Sequence, residues 1–409
     1  MSGERHVLAN GLTVAADPLP GAESISLGLY ASVGSRSEPR RLGGLAHLVE
    51  HMVFKGAGGR DTRALAEVIE DVGGSLNAWT GRDQTVFHGR ALARDLPLVA
   101  ELIADLVRAP HFEPEHLERE KQVIMSELGE ATDAPDDLVH DHLFEAAFGG
   151  QAIGRPVLGS EQTVRPVARQ DCCDWLEQQF VPSRLVLAAS GKVDPHELLA
   201  LAERLFGDMN SRAAPGVEAA HFTGGVRNDA RSFEQAHWCL AFEGLPASDP
   251  RQPALGLFVQ ALGGGTSSRL FQELREERGL AYSIYAWNQA FADTGLIGIG
   301  CAAERLQAAE SVRLAREVLV GAAESLSEAE LNRARAQTEA GLLIGLETAQ
   351  GRADQMARSI EVFGRILALE ELLDQIRGVT LEEAQLAGRA LRDGAVAVAS
   401  VGAGLALAA

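Results

Sequence analysis

His47 and His51 stand four residues apart. On an α-helix both imidazoles therefore leave one face, at a separation that a single zinc ion bridges. Glu50 sits three residues after His47 and one before His51. That position puts a carboxylate beside such an ion, where it suits proton abstraction from a water at the metal. The flanks Gly43-Gly44-Leu45-Ala46 and Met52-Val53-Phe54 are apolar, so the polar trio interrupts a helix that should be buried. Buried polar groups need partners, and an ion would supply one. The competing reading is a solvated polar helix face.

A catalytic zinc takes three protein ligands and keeps a fourth position for water, so this pair needs a distant third donor. The order His-x-x-Glu-His reverses that of the commoner zincins. Glu118 to Glu130 reads as a charged helix in which Glu120 and Glu127, seven residues apart, share a face with Val123 and Ile124 as expected core anchors between them. Ordinary surface acids would give the same pattern. Other histidines fit a metal less well. His111 and His116 are five apart around Pro114, which opens a helix, and His140 and His142 point different ways if helical. Gly263-Gly264-Gly265-Thr266-Ser267-Ser268 lacks the Lys-Ser/Thr of a phosphate loop and reads as a turn before a helix.

These side chains need a scaffold. Residues 5–32 read as strands, with a turn at Asn10-Gly11 and period-two alternation from Ser24 to Tyr30. Apolar spacing predicts helices near 43–56, 61–72, 95–108, 113–131, 135–148, 168–179 and 194–206, and strands near 75–80, 84–92 and 184–190. Ala, Gly and Pro with mixed polar residues over 211–227 read as a linker. Beyond it come a strand (233–242), helices (251–262 and 267–277), two strands (281–289 and 294–301), a helical run (306–389) and a closing strand (395–400). The fold class is α+β, with a zinc-bearing domain over 1–210 and a metal-free one over 228–409. The element order of the first half recurs in the second, which implies duplication. The helix equivalent to the His47 segment reads Leu255-Gly256-Leu257-Phe258-Val259-Gln260-Ala261-Leu262 and carries no ligand.

Composition narrows the function. With 409 residues the chain can bury two substantial cores. Its 37 basic and 57 acidic residues leave a formal charge of −20, which argues against nucleic-acid binding, because phosphates need clustered cations. No apolar stretch is long enough to span a membrane and the N-terminus lacks a secretion signal, so a cytoplasmic protein without membrane association is expected. The four cysteines, Cys172, Cys173, Cys239 and Cys301, read as reduced thiols.

His47-Leu48-Val49-Glu50-His51-Met52-Val53-Phe54-Lys55-Gly56, Gly73-Gly74-Ser75-Leu76-Asn77-Ala78-Trp79-Thr80 and Glu120 to Glu127 together resemble the pitrilysin and mitochondrial processing peptidase family. The likeness continues through Asp141-His142-Leu143, Gly154-Arg155-Pro156-Val157-Leu158-Gly159, Leu187-Ala188-Ala189-Ser190-Gly191 and Ser267-Ser268-Arg269-Leu270-Phe271. It implies a zinc-dependent endopeptidase with one zinc ion per chain, held by His47, His51 and Glu127, with Glu50 as general base and Glu120 supporting the ligands. It also implies substrate pairing as an added strand at Asn77 and Ala78. Arg275 and Tyr282 match an Arg/Tyr pair that orients substrate and stabilises the oxyanion. Asp137 and Asp141 match acids that select a basic substrate residue. The architecture it implies is a clamshell of two similar domains, each a mainly antiparallel sheet flanked by helices. It further implies peptide substrates and a homodimer, or a heterodimer with a related subunit. The alternative within the family is a non-catalytic subunit, which usually lacks the full motif.

Overall fold

The structure, a computed structural model, describes residues 3–402. These form two compact units, each assembled from three stretches of chain. The first contains the chain up to Leu128, Pro156–Glu218 and Leu343–Leu369, and the second contains Gly129–Arg155, Ala219–Leu342 and the chain from Glu370.

The first unit is built on a six-stranded sheet. Its strands are β1 (Glu4–Val7), β2 (Thr13–Pro18), β3 (Ser24–Ala31), β4 (Ser75–Thr80), β5 (Thr85–Leu92) and β6 (Leu185–Gly191), in the order β1-β2-β6-β3-β5-β4. All neighbours are antiparallel except β2 and β6. The chain reverses between β1 and β2 at Asn10-Gly11, where Gly11 takes a positive φ and the Asn10 side chain accepts the Leu12 N–H. Alternation along β3 sends Ile25, Leu27 and Leu29 into the main core, beneath helices that include α1 (Leu45–Val53), α2 (Thr62–Glu70) and α3 (Leu96–Arg108). Ser26 and Tyr30 face the other way, yet they too are buried. They lie beneath the helix Ala349–Phe363, whose Met356, Ala357 and Ile360 pack on Ala15, Tyr30, Val86, Val186 and Ala188. Tyr30 donates to Asp354, Ser26 donates to Gln350, and Arg352 pairs with the buried Asp17.

A five-stranded sheet organises the second unit. Here β7 (Gly225–Asp229), β8 (Ala236–Gly244), β9 (Ser283–Ala290), β10 (Gly295–Ala303) and β11 (Val396–Val401) run in the order β9-β10-β8-β11-β7. Only β11 and β7 are parallel. One face packs on the helices Gln252–Gly263, Ala308–Ser325 and Leu381–Asp393. The other is covered by the helix Pro135–Ala147, through Val139, Leu143 and Ala147 against Cys239, Ala241 and Ala397.

The α+β class and the mainly antiparallel sheets agree with the sequence reading. The contiguous division at 211–227 differs from the observed units at two helices, because each sheet takes the cover for its second face from the other half of the chain. The linker also ends early. Gly224 and Gly225 turn the chain with positive φ, and Gly225–Asp229 adds a strand to the second sheet. No residue of that strand is fully buried, so it lacks the hydrophobic alternation that marks a strand in sequence.

Candidate metal centre

Helix α1 buries Leu45, Leu48, Val49 and Met52 in the first core and leaves His47, Glu50 and His51 half-buried on its other side. The helix Pro114–Asp133 presents Glu120 and Glu127 to them, anchored by the buried Leu117 and Ile124. Val123 is not an anchor. It is 42% exposed, because its position on the helix wheel is about 100° from that of Ile124.

Glu127 meets both histidines, with Oε2 3.9 Å from His47 Nε2 and Oε1 3.7 Å from His51 Nε2. The rings lie 4.6 Å apart by centroid and are tilted by 63°. One donor atom from each of the three residues falls within 4.8 Å of the others. Tetrahedral zinc with bonds of about 2.0–2.2 Å sets its donors roughly 3.3–3.6 Å apart, so a small contraction would close the set. On the far side of His51, Nδ1 lies 3.1 Å from Glu120 Oε2, and Glu120 Oε1 lies 3.0 Å from Lys55 Nζ. This chain of contacts turns Nε2 of His51 toward Glu127, which is how metal-ligating histidines are commonly oriented.

Several buried polar atoms here have no hydrogen-bond partner: His47 Nδ1, Glu50 Oε2 and Glu127 Oε2. A binding site explains such a concentration better than a folded core does. Burial, with His51 adding to it, lowers the His47 pKa to about 4. The ring is therefore neutral near pH 7, as a ligand must be. Burial also raises Glu50 above the ordinary carboxylate range, against the lowering effects of Thr80 and His51, and a raised carboxyl is suited to exchanging a proton. The donors are two imidazoles and a carboxylate, a set that suits zinc. Among the described residues this is the one group of three or more His, Cys, Asp or Glu side chains arranged to hold a metal.

Asn77 and Ala78 lie on β4, one of the two edge strands of the first sheet, which packs against α1 and ends at Thr80 beside Glu50. Arg275, Tyr282, Asp137 and Asp141 belong to the second unit. Arg275 lies in a π-helical segment, Phe271–Glu277, with its guanidinium 4.7 Å from the centre of the Phe271 ring. Tyr282 is 73% exposed just before β9, its N–H bonded to the Ala302 carbonyl. Asp137 is exposed and Asp141 half-buried on Pro135–Ala147. The sequence reading gave no role to Lys55 or Thr80; both stand within the quoted motifs, but the contact of Lys55 with Glu120 joins the turn after α1 to a distant helix. His111 and His116 hold the carbonyls of Gly58 and Lys55 through a ring nitrogen, and all four cysteines are free.

Residues 13–161 match the sequence profile described as insulinase (peptidase family M16), and residues 166–338 match that of the peptidase M16 inactive domain. The chain belongs to the peptidase M16 family. Within M16, a relative from Mycobacterium tuberculosis named an uncharacterized zinc protease is 36% identical over 400 residues, covering 96% of this chain and 91% of that one. A Bacillus subtilis protein, also named an uncharacterized zinc protease, is 30% identical over 383 residues, 93% of each chain. The fold is shared with a crystal structure from Pseudomonas fluorescens described as a peptidase M16 inactive domain, at TM-score 0.91 and 20% identity over 98% of both chains. A Helicobacter pylori protease gives 0.88 at 19% identity, over 98% of this chain and 99% of that one. Among the described residues, no helix is long and apolar enough to cross a membrane.

Proposed function

We propose that this M16 chain is a zinc-dependent endopeptidase acting on peptides or unfolded segments. The observation that carries the reading is the convergence of His47, His51 and Glu127 with Glu50 alongside them, in a cluster of buried polar atoms that lack protein partners. His47, His51 and Glu127 would hold the ion and Glu120 would orient His51. When bound, zinc would supply Lewis-acid polarisation of the scissile carbonyl and of the attacking water. Glu50 takes the proton of that water and delivers it to the leaving amine. Tyr282 donates a hydrogen bond to the developing oxyanion, and Arg275 orients the substrate. Backbone groups of Asn77 and Ala78 pair with an extended substrate, which gives affinity with little demand on sequence. Asp137 and Asp141 favour a basic residue in the substrate, and the working form is a homodimer.

The test is cleavage of an unstructured peptide mixture by the purified protein, beside Glu50→Gln. The variant is expected to keep its zinc and lose roughly 10²- to 10⁴-fold in turnover. Equal turnover in both would end this mechanism.

A further inference from the structure

We infer that Glu38 is a positioning residue for the metal-binding helix: its buried carboxylate serves as a remote N-cap of α1 and fixes the backbone from which His47 and His51 project. The inference rests on the reading of His47, His51 and Glu127 as a metal site.

A helix leaves its first N–H groups without intrahelical acceptors, and a Ser, Thr, Asp or Asn at the N-cap usually supplies one. In α1 that position is Gly44, at φ +89°, with no side chain to offer. Nor is there space for one. A Cβ on Gly44 would stand 2.5 Å from the Leu158 carbonyl oxygen and 2.8 Å from Val164. The facing turn at Pro156–Gly159 is equally tight, because a Cβ on Gly159 would meet the Gly43 carbonyl oxygen at 2.1 Å. Close backbone packing thus excludes a local cap, and Glu38 reaches in from six residues upstream. It is 4% exposed, and each carboxylate oxygen takes one N–H: Oε2 accepts from Gly44 at 2.9 Å and Oε1 from Ala46 at 2.7 Å.

A carboxylate at this end of a helix also meets the positive pole of its dipole, and bonds to an ionised acceptor are stronger than neutral ones. The second bond holds the peptide that joins Leu45 to Ala46, one residue before the first ligand, His47. His51 follows one turn later and is held on its far side by Glu120. The two carboxylates therefore act on different atoms: Glu120 orients a ring, and Glu38 orients the helix that bears both rings.

Glu38→Ala and Glu38→Gln, made in the full chain, test this against the parent. Zinc affinity is measured by chelator competition, the visible spectrum is recorded with cobalt in place of zinc, and amide exchange is followed at Gly44 and Ala46. Far-UV circular dichroism checks the fold. Glu38→Ala is expected to bind zinc about 10- to 100-fold more weakly, by analogy with other groups that orient ligands, with an altered cobalt spectrum and fast exchange at both amides. Glu38→Gln keeps one acceptor oxygen and should fall between Ala and the parent. If Glu38→Ala fails to fold, Glu38→Gln decides through the same measurements. Parent-like zinc affinity and cobalt spectrum in the folded variants would overturn the role of Glu38 alone. A parent protein that takes up no metal would overturn the metal reading and this inference with it.

Discussion

Two helices in this molecule follow interior strands of their sheets and have opposite characters. Helix α1, after β3, turns His47, Glu50 and His51 away from its core. Gln252–Gly263, after β8, buries Leu255, Phe258 and Leu262 at comparable spacing and has no histidine or carboxylate. The fold evidently does not need the polar trio. Keeping it leaves buried atoms without partners on His47 and Glu50, and such atoms destabilise a core. The first unit accepts that cost at its candidate metal site, while the second packs the corresponding helix with hydrocarbon.

The comparison can be pressed from the second unit. If that unit contributes chemistry although it has no ligand, Tyr282→Phe should lower kcat by roughly 10²-fold, the size of effect seen when one oxyanion donor is removed, with zinc content unchanged. A parent-like kcat would confine the chemistry to the first unit. A smaller effect is expected for Glu120→Gln, which should weaken zinc binding about 10- to 100-fold in equilibrium dialysis. Unchanged affinity would mean that His51 is oriented without its carboxylate partner.

The mildest change makes α1 resemble its counterpart. His47→Leu removes a buried unpartnered nitrogen, and without metal it should stabilise the protein by about 1 kcal/mol, or roughly 2–4 °C in Tm. The gain should also depend on pH. Burial lowers His47 to about 4 in the folded protein, below the value near 6.5 of an unfolded chain. The unfolded chain therefore takes the proton first as pH falls, and metal-free stability declines between about pH 6.5 and 4 but not above it. His47→Leu should flatten that slope in thermal melts across the same range. An identical slope in both proteins would show that other groups set it.

Much of this was legible in the sequence, for identifiable reasons. Helix α1 announced itself through Leu45, Leu48, Val49 and Met52, and its ligand pair through spacing alone, because three and four residues are the repeat of a helix face. Glu127 and Glu120 were visible as carboxylates on a second helix, but choosing between them took the family resemblance. Contacts between distant segments stayed hidden. Alternation along β3 shows that one face is buried and cannot say that Tyr30 will be covered by residues more than three hundred positions later. Glu38 gave no local sign either, since the cap it provides belongs to a helix that begins several residues further on. The glycines at 43 and 44 read only as part of an apolar flank, and their role as a close-approach surface appears only with Leu158 and Gly159 in place.

The crossed helices have a consequence for synthesis. A domain made first on the ribosome ordinarily folds first. Here the face formed by Ala15, Tyr30, Val86, Val186 and Ala188 is covered by Ala349–Phe363, with Ile366 beside it. The first sheet therefore lacks this cover until translation has passed Phe363. The growing chain thus carries an apolar surface well after β6 has been made, and a product released early, for example after the segment 211–224, would keep that surface for good.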